Sequence, residues 1–135
     1  MNNNRHIKHL SASLEDYLEA IYLLSRDHGI ARVSQIAKMI KVGKPSVTAA
    51  LKLLSKKGYV NYDPYQYIFL KSKGKALAKD IVWRHDVLKR FFIEVLKINE
   101  KLAGQTACRM EHNIDRKVLD RLLKFVQSEF HGKKK

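Results

Sequence analysis

Residues 31–60, ARVSQIAKMIKVGKPSVTAALKLLSKKGYV, decide the fold. Ser34 is placed to cap a short helix over residues 35–40. Lys41-Val42-Gly43-Lys44 then reads as a tight turn. Pro45 suits the first position of a following helix, where its missing N–H is not needed. Val47, Leu51 and Leu54 recur at helical spacing and form that helix's buried stripe, and Gly58 stops it. Two short helices joined by a tight turn make a helix-turn-helix.

The flanks complete the unit. YVNYDPYQYIFL, residues 59–70, is rich in β-branched and aromatic residues and breaks at Asp63-Pro64, so it predicts a small hairpin, or wing. Upstream, Ser13 is a candidate cap for a helix with Glu15 and Asp16 in its first turn, Leu14, Tyr17, Leu18 and Ile21 on its apolar face, and Gly29 at its end. Downstream, Ser72 opens a long helix to about Leu96, with His85 in the same stripe as Leu77, Ile81, Leu88, Phe92 and Val95. Asn99 can cap a helix to about Asn113. Asp115 can cap a last one carrying Val118, Leu119, Leu122, Leu123 and Val126. The fold class is mainly α, a winged helix-turn-helix followed by a helical domain.

Charge narrows the partner. The chain has 135 residues, 27 of them Lys or Arg against 13 Asp or Glu, for a net charge of +14. A surplus this basic points to a polyanion. With 45% apolar residues and only 6 Gly and 2 Pro, the chain can build a core. No apolar run reaches the ~18 residues of a membrane span, and the start lacks a secretion-signal pattern. The single cysteine, Cys108, permits no internal disulfide, which suits a reducing cytoplasm.

Double-stranded DNA fits these features. The second helix of the motif offers Lys44, Pro45, Ser46, Thr48 and Lys52 around its N-terminal exposed side, and Ala49 and Ala50 leave room for close approach. Ser34 and Gln35 open the preceding helix, and Tyr65 and Gln66 stand at the wing tip; all are candidate DNA contacts.

A second constellation is polar. Asp16 and Glu19 share a helix face. Cys108, Glu111 and His112 stand at i, i+3, i+4, again one face, and His85 lies on the long helix. Thiolate, carboxylate and imidazole together suit a first-row transition metal. The thiolate favours Fe(II), Zn(II) or Co(II), and the extra carboxylates suit Mn(II). Three rival readings remain: a winged-helix factor that answers an organic ligand or a thiol oxidant at Cys108, a small metallo-hydrolase using Glu111 as base, and an architectural DNA-coating protein.

SLEDYLEAIYLL, the 31–60 block, VWRHDVL and ACRMEHNID together resemble the diphtheria-toxin-repressor/manganese-transport-regulator family of metal-dependent transcriptional repressors. The resemblance covers residues 11–130. It implies a cytoplasmic homodimer on pseudo-palindromic operator DNA, with Mn(II) or Fe(II) as the physiological signal. It implies Asp16, Glu19, His85, Cys108, Glu111 and His112 as metal ligands. The sequence is a hybrid: its acids at 16 and 19 match the manganese branch, and Cys108 matches the iron branch. Lys89 and Gly104 replace the iron branch's ancillary ligands, and Ala49 replaces a base-contact glutamine. The expected organisation is a flexible basic arm over 1–12, the DNA-binding domain over 13–74, a metal-binding and dimerisation domain over 75–130, and a basic tail over 131–135.

Overall fold

The computed structural model describes residues 10–63 and 67–133, and the side chains through residue 128. Six helices and one small sheet follow in order: α1 (Ala12–His28), α2 (Val33–Ile40), α3 (Lys44–Lys56), β1 (Val60–Asn61), β2 (Phe69–Leu70), α4 (Ser72–Glu94), α5 (Glu100–Met110) and α6 (Arg116–Lys133). The chain divides into two compact units, residues 1–80 and 81–135. No helix among the described residues is long and apolar enough to cross a membrane.

The first unit is the winged helix-turn-helix. Leu18 and Ile21 of α1, Ile36 of α2, and Val47, Leu51 and Leu54 of α3 are fully buried in one core. Full burial of such side chains contributes about 1.5–3 kcal/mol each, so the stripes at helical spacing hold the three helices together. The wing pairs antiparallel, with Val60 opposite Leu70 and Asn61 opposite Phe69. A further bridge, Ala31 to Ile68, ties it to the segment before α2.

Helix ends differ from the sequence reading. Ser11 caps α1, its hydroxyl accepting from the Leu14 N–H at 3.2 Å; Ser13 lies inside the helix. Leu10, 3% exposed, anchors the chain just before it. Arg32 takes the N-cap position of α2 in place of Ser34, and the Gln35 side chain accepts from the Arg32 N–H at 2.9 Å. Gly29 ends α1 at φ 87°, a conformation that a Cβ would oppose. α4 packs its first turn close to the wing: a Cβ on Gly74 would overlap the Tyr59 carbonyl oxygen and come within 2.9 Å of its carbon.

The second unit is helical. Leu88, Ala107 and Leu119 form its buried cluster, with Phe92, Ile114 and Leu122 packed around it. Phe91 meets Phe92 and Phe125 edge-on, with ring centroids 6.0 and 6.3 Å apart. Asn99 caps α5 as its sequence suggests, accepting from the Leu102 N–H at 2.9 Å. The helix stops at Met110, so Glu111 is its C-cap and His112 lies in the turn beyond.

Candidate metal centre and nucleic-acid surface

The second unit brings three of the six proposed ligands together. Glu111 is fully buried. Its Oε1 lies 2.9 Å from His85 Nδ1 and its Oε2 lies 3.3 Å from His112 Nε2. Among the described residues, Oε2 makes no hydrogen bond. His85 reaches this point because it shares the inward stripe of α4 with Leu88, one turn on.

This carboxylate is in an unfavourable place. Removing a charge from water costs several kcal/mol unless it is paired. The C-terminal end of a helix carries partial negative charge, which repels a further anion. Both penalties fall on Glu111, and both are relieved by positive charge. The Arg84 guanidinium, which donates to the Glu111 backbone carbonyl at 3.0 Å, supplies one such charge, and the His85 and His112 rings flank the carboxylate. Neighbouring residues of α4 therefore hold Glu111 by its main chain and its side chain. Oxygen and imidazole nitrogen in this arrangement fit a divalent first-row ion.

Arg84 was not a candidate from sequence. The signal was its position beside His85, which a face-counting argument passes over because neighbours on a helix point apart. Cys108 lies on α5 with an exposed thiol. In the first unit, Asp16 and Glu19 lie three residues apart on α1, and both are half-buried. Glu15, next to them, is the buried acid of that helix, 9% exposed. Burial, and then the Glu15 charge, hold the Tyr59 hydroxyl above its ordinary pKa.

The candidate DNA-contact residues lie on the first unit. Lys44, Pro45, Ser46 and Lys52 of α3 are exposed, and Thr48 is half-buried. Ala49 is exposed, but Ala50 is 5% exposed and faces the core, so the room for close approach comes from Ala49 alone. Ser34 is exposed, and Gln35 is half-buried with its carboxamide oxygen engaged at the cap. Tyr65 and Gln66 lie outside the described residues. The wing adds what sequence did not single out: Tyr67 and Phe69, each about half exposed, meet edge-on, and the Arg32 guanidinium sits 6.0 Å from the Tyr67 ring centre.

Comparison with known proteins covers nearly the whole chain. Residues 9–68 match the iron dependent repressor, N-terminal DNA binding domain. Residues 71–134 match the iron dependent repressor, metal binding and dimerisation domain. The chain is 39% identical over 119 residues to an uncharacterised HTH-type transcriptional regulator of Methanocaldococcus jannaschii, MJ0568, covering 87% of this chain and 95% of that one. It is 36% identical over 115 residues to the HTH-type transcriptional regulator MntR of Bacillus subtilis, covering 85% and 80%. Among solved structures, the manganese regulator SloR superposes with a TM-score of 0.75 at 29% identity, covering 84% of this chain and 53% of that one. The chain thus spans about half the length of that structure.

Proposed function

Because the chain belongs to the iron-dependent repressor family, whose DNA-binding and metal-binding and dimerisation segments it matches in order, we propose that it represses genes of metal-ion homeostasis when a divalent metal is bound. It is a DNA-binding transcriptional regulator and not an enzyme. The observation that carries the metal reading is Glu111: a fully buried carboxylate at a helix C-terminus, flanked by His85 and His112.

The proposed ligand set is Asp16, Glu19, His85, Cys108, Glu111 and His112, drawn from α1, α4 and the end of α5. A divalent cation, when bound, would supply the charge that lets its carboxylate ligands stay ionised. The residues themselves order the protein around that charge. DNA binding then no longer has to meet that ordering cost. Couplings of this kind are typically ~1–3 kcal/mol, or ~5–150-fold in affinity. Mn(II) and Fe(II) are the proposed signals; the manganese assignment of SloR supports the first. Imidazole and thiolate donors also accept Zn(II) and Co(II).

The protein acts as a cytoplasmic homodimer on pseudo-palindromic DNA, with half-sites spaced by about one helical turn or a multiple. Val118 and Phe125, seven residues apart on α6 and about half exposed, support a dimer seam on that helix. Lys44, Pro45, Ser46, Thr48 and Lys52 of α3 are the proposed reading residues, with Ser34 and Gln35 beside them and Tyr65 and Gln66 at the wing tip.

A mobility-shift assay on DNA upstream of the chain's own gene tests this, run with Mn(II), Fe(II), Co(II) and Zn(II) and with EDTA controls. Retardation that requires a divalent metal is expected. Equal retardation with and without EDTA would overturn the metal dependence.

A further inference from the structure

The turn of the helix-turn-helix holds its backbone in an unusual way. Lys41 caps α2 in the left-handed conformation, φ 66° and ψ 52°. That conformation crowds the Cβ of an L residue, and glycine or asparagine is the ordinary occupant. The chain has a glycine two residues on, but Gly43 sits at φ −78° and does not need its freedom. A lysine therefore stands where glycine would cost less.

Nothing in the fold asks for that side chain. The structural work of the cap is done by the backbone: the Lys41 and Val42 N–H groups both donate to the Ala37 carbonyl, at 2.8 and 3.0 Å. The side chain is exposed and makes no hydrogen bond or ion pair among the described residues. It sits three residues before Lys44, the first residue of α3. Lys97 shares the left-handed conformation at φ 59°, but at Lys41 it falls in the turn of the helix-turn-helix itself.

We infer that Lys41 is a phosphate-contacting residue that fixes the register of α3 on the DNA backbone. This rests on the DNA-binding reading above. The lysine side chain is exposed in the turn that leads into α3, so a cation there can position the helix without reading bases.

The competing role is purely local: a lysine at a helix C-terminus also complements the helix dipole. The two roles separate experimentally. The probe is a duplex selected from a random-sequence pool by the full-length chain in Mn(II). Affinity is measured from ~50 to ~300 mM salt for the wild type, Lys41→Gly and Lys41→Arg, alongside each Tm. Each lost phosphate contact lowers the slope of log affinity against log salt by about 0.9. Lys41→Gly is expected to bind several-fold more weakly, with the slope reduced by about that amount, and to melt at or above the wild-type Tm. Lys41→Arg is expected to restore the slope. An unchanged slope in Lys41→Gly overturns the inference alone. So does a loss of binding that comes with a lower Tm, which assigns Lys41 to the fold. Failure of the wild type to select any duplex overturns the DNA-binding reading along with it.

Discussion

His85 Nδ1 lies 2.9 Å from Oε1 of Glu111, a carboxylate with no solvent exposure at the end of α5. The pair makes α4 and α5 one polar joint inside an otherwise apolar packing. Breaking it on the Glu111 side tests its chemistry. Glu111→Gln keeps the shape and removes the charge. Because the charge is the costly part of the buried group, the metal-free protein is expected to keep its Tm within a few degrees. Affinity for Mn(II) is expected to fall ~10–100-fold or more, as it does when a ligand or its immediate support is lost. Titration calorimetry checks the affinity and calorimetric melting checks the fold.

Arg84 gives a second prediction. Its guanidinium donates to the Glu111 carbonyl at 3.0 Å, one of the backbone acceptors that a helix end leaves open. A hydrogen bond to a charged group is worth about 1.5–3 kcal/mol. Arg84→Ala is expected to lower stability by that order and to weaken Mn(II) binding through the displaced Glu111. Urea melts and a metal titration on the same variant read the two effects. A stability loss with unchanged metal affinity would confine Arg84 to the fold.

Gly74 reports on the reading unit. A Cβ there meets the backbone of Tyr59, which cannot swing aside as a flexible side chain does. Gly74→Ala is expected to destabilise by about 1–3 kcal/mol, the usual cost of overpacking, despite alanine's better helix propensity. Thermal melting followed by circular dichroism measures it.

Tyr59 gives a pH dependence. Its hydroxyl is held above its ordinary pKa, chiefly by burial and then by Glu15. Below the ordinary value, both folded and unfolded chains carry the neutral phenol, and the stability is fully present. As pH rises through about 10, the unfolded chain ionises first, and stability falls until the folded pKa is passed. The Tm is therefore expected to drop in this alkaline range, and Tyr59→Phe to drop less steeply. Melts of both proteins between about pH 8 and 11 check the difference.

Much of this was legible in the sequence because burial follows period. Val47, Leu51 and Leu54 mark the inner face of α3, and all three are fully buried. Of Cys108, Glu111 and His112, spaced i, i+3 and i+4, the last two meet just beyond the end of α5, and Cys108 is exposed on the helix. Helix ends were harder to read. Ser11 and Ser13 are equal as capping side chains, and the choice between them follows from where Leu10 is buried, a tertiary fact. At α2, the local code pointed to Ser34, but Gln35 reaching back to Arg32 closes the turn. Ala50 reads beside Ala49 as room for close approach, but Val47 and Leu54, three before and four after it, share its face and carry it inward. Arg84 acts through a backbone carbonyl, and no side-chain pattern announces such a contact.

The coupling between metal and DNA is tested most directly by measuring Mn(II) affinity twice, with and without a saturating selected duplex. Linkage requires each ligand to tighten the other by the same factor. The expected result is Mn(II) binding ~5–150-fold tighter on DNA, matched by an equal gain in DNA affinity when Mn(II) is present, with both gains lost in Glu111→Gln. Equal Mn(II) affinity on and off DNA would contradict the account.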